Sequence, residues 1–523
     1  MHLSIRQILF SLVIFSFLLR AFLAYWLELG NDEVYYWTYA LFPDWSHYDH
    51  PPMLGWVMQL FSLNLLFDSE FALRLSSLVF FAINTGLIFM AGKIIRDEKT
   101  GLYAALLYNA SIYATVITGI FILPDTPQNL FWLIALVIML KLVSDGVTQQ
   151  QQNRLMLLFG LVTGLGMISK YTSVFLWVGL LGYILLYRKA WLKRVSLYVA
   201  LLISAFCGLP VIIWNVQHDF ASFAYQGSRV NIFESGLRPD YFATELIGQI
   251  FYNNPINWVL ILLAVIAVVR QKQFLPASYQ RLLLLVGLPS ILLFLLFALF
   301  RPTLPHWTGP AYNTLILLAA ARIRQTTRPV PSFRIPPAIM SSLAFLIFIL
   351  LLGSLQIKTG LIPIREDNPY HRLGKNDLTL DMYGWRALGK QFEAVRNKHL
   401  EAGTMQSADA IVAANWFPLA NLDYYVARPL GMKVLGLGRP ERLHKYVWIT
   451  EARGGLKAGD DYWFLTDSRD YTHPGQVYAG AFDSIVATDT ITITRSGKPA
   501  KRVFLFLLRD FKGSPDLTPK GMK

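Results

Sequence analysis

Residues Leu282–Phe300 read LLLLVGLPSILLFLLFALF, without a single charge. A helix of about 20 apolar residues crosses the hydrocarbon core of a bilayer, so this stretch predicts a membrane span. Ile8–Leu27, Leu73–Gly92, Ile203–Trp214 with its apolar upstream residues, and Ala338–Leu355 repeat the pattern. The chain is 54% hydrophobic and 15% charged, whereas an average soluble domain carries roughly 25% charged residues. A single soluble globule is excluded. The net charge of +14 invites a nucleic-acid partner. The cations, however, sit mostly in short loops between apolar runs, where orientation signals belong, so no nucleic-acid partner is expected. The one cysteine, Cys207, lies inside an apolar run and leaves no intrachain disulfide. Arg6 and the apolar stretch after it resemble a signal peptide. The stretch is long, Arg20 interrupts it, and no small-x-small cleavage site precedes Gly30, which predicts an uncleaved first span.

Orientation follows from the loops. With the N-terminus inside, Met53–Phe67 is too short for a comfortable crossing and is expected to lie along the outer interface. Lys93, Arg96 and Lys99; Lys141 and Arg154; Arg188, Lys189, Lys193 and Arg194; Arg270, Lys272 and Arg281; and Arg322, Arg324, Arg328 and Arg334 then all fall inside. The register predicts a polytopic α-helical membrane protein with about eleven spans plus interfacial helices, its C-terminus outside. Leu155–Ser169 and Thr172–Tyr187 are its shortest spans. Gln149–Gln152 reads as an inner-loop linker, and no internal repeat is visible.

After residue 357 the composition changes, dividing the chain into a transmembrane part, 1–357, and a soluble α/β domain, 358–523. Tyr383–Val395 has helical periodicity, and Ala410–Ala414, Lys445–Thr450, Tyr462–Leu465 and Ile491–Thr494 read as strands. The orientation puts this domain in the periplasm of a two-membrane bacterium, with the spans in the inner membrane.

Ionisable residues converge on the outer side. The first outer loop holds Asp32 and Glu33 within Asn31–Trp37, then His47-Tyr48-Asp49-His50-Pro51-Pro52. An interfacial aromatic belt with solvated charges would account for Trp37, Trp45 and the tyrosines, but adjacent acids at a membrane surface are costly unless paired or working. Asp125 stands between Pro124 and Thr126-Pro127, where it could equally begin the next helix. Lys170, in Ser-Lys-Tyr-Thr, is either functional or a snorkelling lysine. Tyr225, Gln226 and Arg229, then Arg301 and His306, complete the outer set. Such a set suits a reaction in which an acid deprotonates an acceptor while cations hold a departing phosphate.

These residues also resemble a known family. The acid pair after the first span, Tyr48-x-Asp49-His50-Pro51-Pro52, Pro124-Asp125-x-Pro127, Ser169-Lys170-Tyr171-Thr172, Ser222-Phe223-x-Tyr225-Gln226 and His306-Trp307-x-x-Pro310-Ala311-Tyr312 occur in the family's order. They are similar to motifs of the bacterial GT-C glycosyltransferases, the dolichyl-phosphate-mannose protein mannosyltransferase-like and aminoarabinose-transferase-like proteins of families 39 and 83. The resemblance implies a GT-C fold, a polyprenyl-phosphate sugar donor, a lipid A, glycolipid or protein acceptor, and inverting transfer on the periplasmic face. It makes Asp32 the expected base, with Glu33 and Asp125 as further catalytic carboxylates. Asp49, His50, Lys170, Tyr225, Gln226, Arg229, Arg301 and His306 become donor- or acceptor-binding residues. Relatives often carry Glu-Lys where this chain has Asp49-His50. A neutral histidine is the weaker phosphate clamp, which shifts the load to Lys170, Arg229 or Arg301.

No cofactor is expected to be required. His47, Asp49 and His50 are residue types that take a divalent metal, though their spacing is not diagnostic. The competing class is a transporter or lipid flippase, which would place ionisable residues near the midplane of repeated halves. A membrane-anchored binding protein would leave the first-loop acids unexplained.

Overall fold

In the computed structural model the described residues are 4–230, 236–327, 334–364, 370–404 and 410–513. Arg328 of the inner-loop cations lies outside them. The chain forms two compact units: Met1–Tyr25 with Pro43–Ile349, and Trp26–Phe42 with Leu350–Lys523.

The first unit is helical. Among the described residues, Ile5–Trp26, Glu70–Ile95, Val195–Gln217, Ala277–Phe297 and Pro337–Thr359 are each long and apolar enough to cross a membrane. Pro239–Tyr252 and Pro255–Val269 form a further apolar pair bent by 99°. The other expected spans are shorter or more polar helices, among them Asp125–Leu142, Gln149–Met167 and Phe175–Tyr187. Their buried side chains form one continuous core.

Small residues let the helices approach. Gly160 and Gly164 face Ala200 and Cys207, where an added Cβ would come within 2.3 and 2.8 Å of its neighbours. The Ser204 hydroxyl donates to the Gly160 carbonyl across that contact. Met53–Phe61 is a helix of 9 residues, about 14 Å long at 1.5 Å per residue and too short to span. The glutamine run is no linker. Thr148 and Gln151 form a capping box, and the run is the first turn of Gln149–Met167.

In the second unit five strands, β1 (Ala410–Ala413), β2 (Lys433–Gly436), β3 (Tyr462–Asp467), β4 (Phe482–Arg495) and β5 (Lys498–Phe511), form one sheet in the order β2-β1-β3-β5-β4. β1 runs parallel to β2 and β3, and β5 is antiparallel to β3 and β4. The expected helix at Tyr383–Val395 is Trp385–Glu401. Lys445–Thr450, expected as a strand, is instead the start of the helix Tyr446–Ala452, which buries Tyr446 and Ile449 one turn apart. A run this short does not separate a period of two from one of three to four.

The first-loop helix, Asn31–Leu41, belongs to this unit. Glu28 accepts from the Trp385 backbone N–H at 2.8 Å, and the Leu29 N–H donates to the Tyr425 hydroxyl at 2.6 Å. The Lys445 ammonium donates to the Thr38 and Phe42 carbonyls, a cation at a helix C-terminus where the macrodipole favours it.

Candidate active site

The centre of the helical unit's site is a buried ion pair. Asp125 opens the helix Asp125–Leu142, as a helix-start residue would, and Lys170 follows the helix Gln149–Met167. Lys170 Nζ lies 2.7 Å from Asp125 Oδ2, with the residues 6% and 2% exposed. The Tyr113 hydroxyl donates to Asp125 Oδ1 at 3.3 Å. Lys170 is therefore not a snorkelling lysine. An ammonium has three donors, and this one also lines a cavity.

That cavity, of about 430 Å³, is lined by both polar and apolar side chains. His50, Lys170, Gln226 and Arg229 supply the polar groups, while Phe175, Phe223, Leu293, Phe294 and Phe297 supply the wall. The helix Ala221–Val230 brings Phe223, Gln226 and Arg229 to it, while Tyr225 stands outside its lining. Gln226 Nε2 donates to the Asp49 carbonyl and ties that helix to the Asp49-His50 segment. The Tyr48 and Tyr225 rings pack at 4.8 Å. The Arg229 guanidinium lies 5.5 Å from the Tyr225 ring centroid and 4.8 Å from that of Trp307, a cation–π arrangement that orients it without neutralising it. Asp125 offsets the charge of Lys170, while no carboxylate pairs with Arg229 among the described residues. Among the described residues Arg229 is thus the cavity's cation without a carboxylate partner.

His50 and His306 are half-buried residues. Burial in the surrounding protein pushes both down to about 4, against the pull of Asp49 and Asp125 on His50 and of Asp125 on His306. Both are neutral at pH 7 and offer hydrogen bonds rather than charge. Arg301 does not line this cavity. Its Nη1 donates to the Ser228 carbonyl at 3.1 Å, beside Arg229, and it borders a separate hollow with Arg238 and Tyr241.

In the other unit, Asp32 is exposed in the first turn of Asn31–Leu41. Glu33 is buried at 2%, and its Oε2 accepts from the Gly30 N–H at 2.8 Å, so this carboxylate closes the helix N-terminus. Among the described residues no three His, Cys, Asp or Glu are grouped to hold a metal ion.

Trp307, Phe223 and Tyr113 were not among the residues expected from the sequence to act here. The first two lie inside the quoted motifs beside named residues, and that adjacency was the available signal. Tyr113 had none.

The fold is that of the GT-C, aminoarabinose-transferase-like glycosyltransferases, and the chain is a multi-pass membrane protein. ArnT from Cupriavidus metallidurans, in the apo state, superposes with a TM-score of 0.59 over 95% of this chain and 97% of that one, at 14% identity. The same protein bound to undecaprenyl phosphate gives a TM-score of 0.60 at 13% identity, with the same coverage. Residues 49–214 match the family described as dolichyl-phosphate-mannose-protein mannosyltransferase. In sequence, the chain is 25% identical over 289 residues to the lipid A galacturonosyltransferase RgtD of Rhizobium johnstonii, covering 55% of this chain and 59% of that protein's length.

Proposed function

We propose that the protein is an inverting glycosyltransferase that moves a sugar from a polyprenyl-phosphate donor to a lipid A-type acceptor at the outer face of the inner membrane. The cavity carries this reading: a lining that combines two cations with aromatic and aliphatic side chains suits a molecule with a phosphate head and a hydrocarbon tail. In the reaction Asp32 takes the proton of an acceptor hydroxyl, and that oxygen attacks the sugar's anomeric carbon. The bond from that carbon to the phosphate oxygen breaks, and the prenyl phosphate leaves with the electron pair. Arg229 and Lys170 stabilise the developing charge, which is where preorganised cations lower a barrier. A metal is not needed for any of these steps.

RgtD directs the first choice of substrates, a prenyl-phosphate galacturonate and lipid A. Prenyl-linked hexose and aminopentose serve as alternative donors, and protein as the alternative acceptor. A transporter needs no sugar transfer and leaves the outward cluster of acids and cations without a task. The orientation, N-terminus inside and C-terminal domain periplasmic, is tested together with the activity. Donor and lipid A are supplied to sealed inner-membrane vesicles of known sidedness. Transfer is expected in right-side-out vesicles only. Transfer confined to inverted vesicles would reverse the orientation, and none in either, or after detergent opening, would remove the enzyme reading for these substrates.

A further inference from the structure

Away from the cavity, the helical unit buries a carboxylate that no cation balances among the described residues. Glu245, on the helix Pro239–Tyr252, is 1% exposed, and its partners among the described residues are neutral. Burying such a group is costly unless every oxygen is satisfied. Both oxygens are. Gln249 Nε2 donates to Oε1 at 2.8 Å, and the Thr303 hydroxyl donates to Oε2 at 2.8 Å. Gln249 is held in turn by the Tyr312 hydroxyl at 2.8 Å, which accepts from Trp258 Nε1 at 3.2 Å. One turn further along the helix, Gly248 faces Pro305 so closely that an added Cβ would lie 2.2 Å from the ring. The network and this contact together clamp Thr303 and Pro305 to the helix. Trp307 follows two residues later, lining the cavity, with its ring 4.8 Å from the Arg229 guanidinium and 5.5 Å from Phe294.

We infer that Glu245 is a positioning residue of the cavity: through Thr303 it fixes the segment that carries Trp307, and Trp307 aligns Arg229 toward the anionic head of the bound lipid. This rests on the reading of the cavity as a prenyl-phosphate site. Glu245 itself touches neither the lipid nor the reacting atoms.

The test uses full-length protein in detergent, with undecaprenyl phosphate as the probe. Glu245→Leu and Thr303→Val each break the clamp, and each is expected to raise the dissociation constant roughly tenfold, the scale of one desolvated cation–π contact. Glu245→Gln accepts from Gln249 and donates to Thr303, so it should stay within about twofold of wild type if the network rather than the charge matters. Trp307→Leu should match Glu245→Leu, and the double variant should be no weaker than either, because coupled residues are not additive. Wild-type affinity in both Glu245→Leu and Thr303→Val, or multiplying effects of Glu245→Leu and Trp307→Leu, would overturn the inference. Thr303→Val preserves size and decides the matter should Glu245→Leu not fold. A wild-type protein that binds no undecaprenyl phosphate would instead remove the reading of the cavity, and the inference with it.

Discussion

Asp32→Asn is expected to leave the protein inserted and folded while cutting sugar transfer by about 10²–10⁴-fold, the usual contribution of a positioned base. The substitution keeps the size and most hydrogen bonding of the side chain and removes its basicity. The neighbouring acid is the natural confounder, and the fold separates the two. Glu33 is buried with its carboxylate on the Gly30 N–H, so it is engaged in holding the helix end. Glu33→Gln keeps a capping partner and should be milder in activity than Asp32→Asn. Asp32 is exposed at the same helix start. Initial rates with both variants, at matched expression and with donor binding intact, measure the difference. Near wild-type transfer by Asp32→Asn would pass the role of base to Glu33, Asp49 or Asp125.

The second large effect is at Lys170. A lysine snorkelling at the outer end of two short spans would be dispensable for folding, and Lys170→Ala would then cost donor affinity alone. The buried pair corrects that expectation. Removing the ammonium strands the Asp125 carboxylate at 2% exposure, and breaking a buried pair from one side typically costs about 3–5 kcal/mol. Lys170→Ala is therefore expected to be strongly destabilised in detergent unfolding as well as weak in donor binding. Combining it with Asp125→Asn removes the stranded charge and should restore much of the stability. Affinity for undecaprenyl phosphate should remain roughly ten- to a hundredfold below wild type, the scale of one lost charge-assisted contact. Wild-type affinity in the double variant would make Lys170 purely structural and leave Arg229 as the clamp.

Much of this was legible in the sequence, for physical reasons that differ from residue to residue. Uncharged runs such as Leu282–Phe300 have few alternatives to membrane helices. Ser-Phe-x-Tyr-Gln and the Arg229 one turn beyond Tyr225 share a helical face, so local spacing already placed them together. The Asp125–Lys170 pairing was not legible, because it joins residues 45 apart in sequence and local periodicity carries no such information. The grouping of Trp26–Phe42 with the C-terminal strands was hidden for the same reason, its anchors being Trp385, Tyr425 and Lys445. Strand β2, Lys433–Gly436, is only 4 residues long and offers too short an alternation to register. The sequence also gave Arg301 the same rank as Arg229. Only the direction of the side chain, toward the Ser228 carbonyl rather than the cavity, separates them.

In the proposed reaction one cavity receives a prenyl phosphate head-first on Arg229 and Lys170. An experimental structure of the protein saturated with undecaprenyl phosphate measures this directly. The phosphate is expected within hydrogen-bonding distance of the Arg229 guanidinium and the Lys170 ammonium, with the first isoprene units along Phe175, Phe223 and Phe294. A phosphate held elsewhere, with this cavity empty at saturating lipid, would contradict it.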